Sequence, residues 1–349
     1  MTRAVFAIPG DIDLATGGYT YDRRVLALLP RFGVEVRHLQ LPGSFPAPAA
    51  ADLDETAQQL AAVAPEDVLM VDGLAYGAMP EAVIGRARSP IVALVHHPLC
   101  LEAGLAAARR AELRALETAA LRRARRVVVT SPATARTLER DFAVPREALA
   151  VAEPGTERAA RATGSPAGPL QLLAVGAVVP RKAYDVLVRA LAGHKETDWR
   201  LAIVGPTDRS AEALAGLHAA IADTGLAGRI GLVGPVSQER LSGYYAAADI
   251  FLMPSLYEGY GMVLAEAMAR GLPIVCTTGG AAAETVPDGA AIKVPPGDER
   301  ALGDAIGRLL RDAGLRRRLA DASWAAAQRL PAWEDTARTI AGVIEEVAQ

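Results

Sequence analysis

Strand-length runs of apolar residues alternate along this chain with longer segments whose apolar residues recur at helical spacing. In the first half the runs predict strands over residues 4–8, 34–39, 68–71, 91–95 and 127–130. Helical patterning lies between them, over 21–29, 78–86 and 101–123. Ser131-Pro132 reads as a helix start, with serine as N-cap and proline at the first helical position. Residues 157–169, ERAARATGSPAGP, lose all periodicity and read as a linker. A second series then predicts strands over 170–175, 200–204, 230–233, 250–253 and 274–276, with an edge strand over 291–294. Helices over 300–311, 315–329 and 333–347 close the chain. Such alternation predicts an α/β chain with parallel sheets. The expectation is two doubly wound domains, 1–160 and 161–330, with 331–349 as a C-terminal helix packing back on the first. Sheets of this kind bind ligands outside the carboxyl ends of their strands, here in a cleft between the domains.

Composition narrows the function classes. The chain has 349 residues, is 51% apolar and carries a formal net charge of −3, which gives no sign of nucleic-acid binding. Its two cysteines, Cys100 and Cys276, stand far apart, which fits a reducing compartment and argues against a disulfide framework. The apolar start is too short for a signal peptide, and no run approaches the ~18 apolar residues of a spanning helix. A soluble, cytoplasmic protein is the expectation.

The segment PSLYEGYGMVLAEAMARGLP carries the densest chemistry. It places Glu258 in a loop and Glu266 on the helix that follows, with Gly259 and Gly261 permitting close backbone approach. Unpaired N–H groups at that helix start favour an anion. Two carboxylates beside an anion site make sense if they accept hydrogen bonds from hydroxyls while backbone holds phosphate. A nucleotide-sugar has that pattern. Arg181 and Lys182 follow strand 170–175 in VGAVVPRK and suit a diphosphate as fork and point charge. A helix start disfavours cations, so their presence there calls for an anionic partner. Gly17 and Gly18, in TGGY after the first strand, could offer backbone N–H groups to a phosphate or sugar. The loop is not G-x-G-x-x-G, which speaks against a nicotinamide dinucleotide. His96 and His97 stand at a cleft-facing strand end, where one of them could contact substrate or shuttle a proton. No carboxylate lies close to them in sequence, so no metal site is expected. Finally, Arg109, Arg110, Arg114, Arg122, Arg123, Arg125 and Arg126 stand against Glu112 and Glu117. A basic helix can dock peripherally on the inner membrane face, and a solvated helix face explains the run as well.

Taken in order, these motifs resemble the family 4 retaining glycosyltransferases of GT-B architecture. The resemblance runs from TGGY through the histidine step, Pro154-Gly155, VGAVVPRK and the E-x7-E segment to TTGGAAAETVPDG and LPAWEDTA. It implies a GT-B fold of two Rossmann-like domains, acceptor side first and nucleotide-sugar donor side second. It implies that Lys182 and Arg181 bind diphosphate, that Glu266 grips ribose hydroxyls and that Glu258 lies near the donor sugar. Gly261, Met262 and Val263 would offer backbone N–H groups to phosphate, Val236 a main-chain contact to the base, and Gly18 an approach to the donor phosphate. His96 or His97 falls where the family places a histidine near the reacting sugar. Many members carry an arginine directly after the glycine of the VG step; here it is Ala177, and Arg181 stands in reserve for that charge. The implied reaction moves a hexose from a UDP- or GDP-sugar to an acceptor hydroxyl with retention, as in bacterial-type glycan biosynthesis. The acceptor could be a small molecule, a glycan or a lipid-linked sugar. The nucleotide-sugar is a substrate, so neither cofactor nor metal is expected. Two other readings use the same residues: an NDP-sugar epimerase, and a non-catalytic nucleotide-sugar binding protein.

Overall fold

A computed structural model describes residues 2–349. The chain forms two compact units, one ending at Gly155 and resumed by Pro331–Gln349, the other Thr156–Leu330.

The first unit runs β1 (Thr2–Pro9), α1 (Gly17–Leu28), β2 (Val34–Leu41), α2 (Ala50–Ala61), β3 (Val68–Asp72), α3 (Gly73–Tyr76), α4 (Glu81–Ile84), β4 (Ile91–Val95), α5 (Ala107–Leu121), β5 (Arg126–Val129), α6 (Pro132–Phe142) and β6 (Leu149–Val151). Its strands form one parallel sheet in the order β2-β1-β3-β4-β5-β6. Every residue of β3 and β4 is buried, as expected of central strands covered by helices on both faces. Ser131 caps α6 by accepting from the Thr134 N–H, and Pro132 takes the first helical position. Phe6, Ile8, Leu69, Val71, Val127 and Phe142 are among its buried core residues.

The second unit runs β7 (Leu170–Val175), α7 (Tyr184–Leu191), β8 (Trp199–Val204), α8 (Ala211–Thr224), β9 (Ile230–Gly234), α9 (Gln238–Ala247), β10 (Ile250–Met253), α10 (Met262–Met268), β11 (Ile274–Thr277), α11 (Ala282–Thr285), β12 (Ala291–Val294), α12 (Glu299–Arg311) and α13 (Ala313–Ala327). Its parallel sheet has the order β12-β11-β10-β7-β8-β9. The last helix, α14 (Trp333–Ala348), belongs to the first unit. It buries Ala337, Ile340, Val343 and Ile344, and the Thr336 hydroxyl donates to the Glu153 carbonyl at 2.6 Å.

Strand order fixes where each sheet reverses its winding. In the first unit β1 lies between β2 and β3, and in the second β7 lies between β8 and β10. The loops leaving β1 and β3, and those leaving β7 and β10, therefore part to opposite faces. Such reversal points leave a crevice at the carboxyl ends of the strands.

Several elements differ from expectation. The boundary falls at Gly155, before the segment read as a linker. That segment docks on the second unit: Ala162 N–H donates to Arg270, Thr163 N–H to Ala246, and Ser165 to the Asp249 carboxylate. Aperiodic sequence still has backbone groups to satisfy, and neighbouring loops satisfy these. The helix expected over 101–123 starts only at Ala107, because Gly104 takes a φ of 84° and breaks the turn before it. Of 78–86 only Glu81–Ile84 is helical, after Pro80. Helix α1 starts at Gly17, four residues before the expected 21, because Thr16 caps it. Strand β6 and helix α2 were not expected.

Candidate functional site

The second unit gathers its charges at its reversal point. Past β7 a single 3-10 turn, Pro180–Lys182, leads to Ala183, whose φ of 49° lies in the left-handed region that a side chain disfavours. Past β10 comes the loop bearing Glu258. Lys182 Nζ donates to Glu258 Oε1 at 2.6 Å, and an Arg181 guanidinium nitrogen stands 3.2 Å from the same oxygen. Arg181 also donates to the Tyr257 carbonyl at 2.7 Å, and its own carbonyl accepts from Leu256 at 2.7 Å. Lys182 and Glu258 are buried. Burial alone would raise the Glu258 carboxyl, yet the Lys182 and Arg181 charges win and hold it at about 2. Gly176 makes room for this lysine, since a Cβ there would meet Lys182 Cε at 3.0 Å. Ala177 brings no charge, and Arg181 stands beside Lys182 instead.

The loop between the two glutamates is pinned from the neighbouring strand end. Glu258 N–H donates to Gly279 at 3.1 Å, and the Glu258 carbonyl accepts from Ala281 at 2.8 Å. Gly261 takes a φ of 92° as N-cap of α10, a conformation that glycine adopts at no steric cost. Met262 and Val263 are the first residues of that seven-residue helix, where backbone N–H groups have no intrahelical acceptor. Glu266, on α10, accepts from the Tyr245 hydroxyl at 2.8 Å. Burial raises its pKa, against that hydrogen bond. The Arg270 guanidinium lies 4.6 Å over the Tyr245 ring and steadies the donor. Tyr245 was not read from the sequence; it is one fully buried aromatic on α9, and only its hydroxyl's target gives it meaning. Val236 is half-buried between β9 and α9.

The first unit has its own cluster at its reversal point. His96 Nε2 stands 3.3 Å from Asp22 Oδ1 and 3.2 Å from Asp72 Oδ2. Asp22 comes from α1 and Asp72 from the end of β3; both are buried. Asp72 also caps α3, accepting from Leu74 N–H at 2.9 Å. Gly18 is the second residue of α1, and a Cβ there would meet His96 Cδ2 at 3.5 Å. Gly17 opens the helix, so TGGY is a capped helix start rather than a free turn. His97 turns elsewhere, with Nε2 3.2 Å from Glu102. The expected absence of carboxylates near the histidines fails both along the chain, where Glu102 follows His97 by five residues, and in space, where Asp22 and Asp72 meet His96. Asp22, Asp72 and His96 are also the one group of metal-ligating type among the described residues, with ligand atoms within 4.8 Å of one another.

The basic run is not one helix. Helix α5 ends at Leu121 and Arg126 begins β5. Arg109 pairs with Glu112, Arg114 donates to the Asp141 carbonyl, Arg123 pairs with Glu81, Arg125 donates to Val347, and Arg126 pairs with Glu346. Much of its charge thus has acceptors within the protein. Among the described residues no helix is long and apolar enough to cross a membrane. Both cysteines are buried and free.

Two parallel-sheet units of this kind define the GT-B class of α/β proteins. Residues 10–155 match the Glycosyl transferase 4-like domain, and residues 169–312 match Glycosyl transferases group 1. The chain belongs to the family 4 glycosyltransferases. The D-inositol 3-phosphate glycosyltransferase of Acidothermus cellulolyticus is 35% identical over 211 residues, covering 58% of this chain and 47% of that protein. The MMP alpha-(1->4)-mannosyltransferase of Mycolicibacterium hassiacum is 31% identical over 278 residues, 74% of this chain and 65% of that protein. The chain spans about half the length of the first such relatives it matches. Among solved structures, sucrose-phosphate synthase from Thermosynechococcus elongatus superposes with a TM-score of 0.79 at 23% identity, covering 99% of each chain. Anabaena Alr3699/HepE in complex with UDP-glucose gives 0.77 at 19% identity, covering 98% of this chain and 99% of that one.

Proposed function

We propose that this protein transfers a sugar from a nucleoside-diphosphate sugar to an acceptor hydroxyl with retention of anomeric configuration. One observation carries the reading: Arg181, Lys182 and Glu258 converge at the reversal point between β7 and β10. Departure of a diphosphate builds negative charge, and two fixed cations stabilise it most where water is scarce. In this reading Lys182 and Arg181 face the diphosphate, with the first N–H groups of α10 beside them. Glu266 takes the ribose hydroxyls, and Val236 lies against the base. Glu258 orders the two cations and lies near the donor sugar. The cations supply the charge that a divalent ion would otherwise supply. Glu258 is held ionised by two cations, which suits a positioning carboxylate better than a nucleophile, so attack from the front face fits better than a glycosyl-enzyme.

The names of two relatives suggest the first substrates to try, an inositol 3-phosphate acceptor and a mannosyl donor. UDP-, GDP- and ADP-sugars are incubated with the protein, with and without such acceptors, and nucleoside diphosphate release is followed. Acceptor-dependent release with an α-linked product from an α-donor is the expected result. Conversion of the donor to an isomer without acceptor would make the protein an epimerase. Tight donor binding with no turnover would make it a binding protein.

A further inference from the structure

Two buried carboxylates aimed at one imidazole nitrogen are costly unless that nitrogen carries a proton. Asp22 is fully buried, and no ordinary hydrogen bond satisfies either of its oxygens. Asp72 spends one oxygen on the α3 cap and turns the other to His96. The two contacts, 3.3 and 3.2 Å, flank a single nitrogen that makes no well-aligned hydrogen bond to either carboxylate, so what holds the three groups together is charge at close range. The ring packs against an aromatic neighbour and its backbone is held. The Tyr21 ring stands edge-on at 5.2 Å, and Thr130 donates to the His96 carbonyl at 3.1 Å. Nε2 is buried while the side chain keeps 22% of its surface open, so the open part of the ring is the part away from the carboxylates. This ring stands at the reversal point of its sheet, beside the start of α1, where such folds receive ligands.

We infer that Asp22 and Asp72 are positioning residues that hold His96 protonated on Nε2, so that the ring meets its ligand as a fixed imidazolium aimed at an anionic or sugar oxygen, not as a base. The contacts lie within one unit and do not depend on the proposed reaction; the use of the cation in transfer rests on that reading. Burial alone would lower the His96 pKa, and the close Asp22 and Asp72 carboxylates push it up to about 10. Asp22 is itself raised to about 7, first by burial and then by the Asp72 charge, with His96 and Arg23 opposing. The neighbouring charges are therefore Asp22 and Arg23 from α1 and Asp72 from β3, with the Tyr21 and Trp333 rings beyond them uncharged.

The test is an NMR titration of the full-length protein, following the ring Cε1–H signal that disappears in His96→Gln. The wild-type ring should stay protonated from pH 6 to beyond 8. Asp72→Asn and Asp22→Asn should each lower its proton affinity by about 100-fold, which is about two pH units on the midpoint. A wild-type midpoint near the ordinary histidine value would overturn the inference. So would Asn variants that fold yet leave the midpoint in place, or stoichiometric zinc that binds and strips the Nε2 proton. If transfer is detected, kcat/KM should not fall between pH 8 and 6, as it would for a histidine base. If no transfer is found, the titration still decides the protonation.

Discussion

Lys182 Nζ and Glu258 Oε1 lie 2.6 Å apart, both buried, with Arg181 on the same oxygen. Removing the lysine leaves a buried carboxylate short of a cation. Lys182→Ala should therefore cost about 3 kcal/mol of stability as well as most of the turnover. A denaturant midpoint separates the two losses. Lys182→Met combined with Glu258→Leu should restore the midpoint and leave transfer abolished. If Lys182→Ala unfolds as easily as wild type, the pair does not hold the loop.

The same pair sets an acid limit. Glu258 is held at about 2, well below its unfolded value, so its contribution is complete above about pH 4.5 and is lost as pH falls toward 2. Melting temperature measured from pH 7 down to 3 should fall less steeply in Glu258→Gln than in wild type. Parallel slopes would remove Glu258 from the acid transition.

Tyr245 steadies Glu266 through a single hydrogen bond of 2.8 Å. Tyr245→Phe removes it and leaves the ring in place. Affinity for the preferred nucleoside diphosphate should weaken about 5- to 10-fold, the scale of one hydrogen bond to a charged group. Calorimetric titration reads this directly. Unchanged affinity would take Glu266 away from the ribose.

A Cβ at Gly18 would sit 3.5 Å from His96, an ordinary contact, and the residue is in the regular first turn of α1. Gly18→Ala should fold with an unaltered melting temperature. If a ligand approaches this backbone closely, donor KM should rise about 10-fold or more, equivalent to about 1.4 kcal/mol. A variant with wild-type kinetics would show that nothing comes near.

Glu117 is buried on α5, accepts from Leu99 N–H at 3.0 Å, and is raised by burial to about 8. Its folded pKa lies above its unfolded one, so its favourable contribution is whole below about pH 4.5 and disappears as pH rises through about 8. Glu117→Gln should melt like wild type at pH 5 and a few degrees higher at pH 9, at about 2–4 °C per kcal/mol. No difference at pH 9 would mean that the carboxyl is not paying a burial penalty.

Most of the strands were legible because an apolar run is local. Even so, Gly104 interrupted an apparently continuous helix, and Thr16 began α1 ahead of its first apolar residue. The docking of residues 157–169 on the second unit leaves no trace in spacing, because hydrogen bonds to distant loops make it. Asp22, Asp72 and His96 were the hardest to see. They come from three elements, and only the strand order, with β1 between β2 and β3, brings them together. The histidine step was visible; that His96 meets Asp22 and Asp72 while His97 meets Glu102 was not. Tyr245 gave no sign at all, since a buried tyrosine on a helix reads as core until its hydroxyl finds Glu266.

Helix α14 gives the chain an order of assembly. The first unit opens the chain but is closed by residues made only after the whole of the second. Trp333 of that helix packs against Tyr21 at 5.8 Å, and Tyr21 in turn meets the His96 ring. During synthesis the second unit can finish folding while the first still waits, its sheet uncovered where α14 will lie. The imidazole and its two carboxylates would then be among the last parts of the molecule to take their final places, after Arg181, Lys182 and Glu258 are already set.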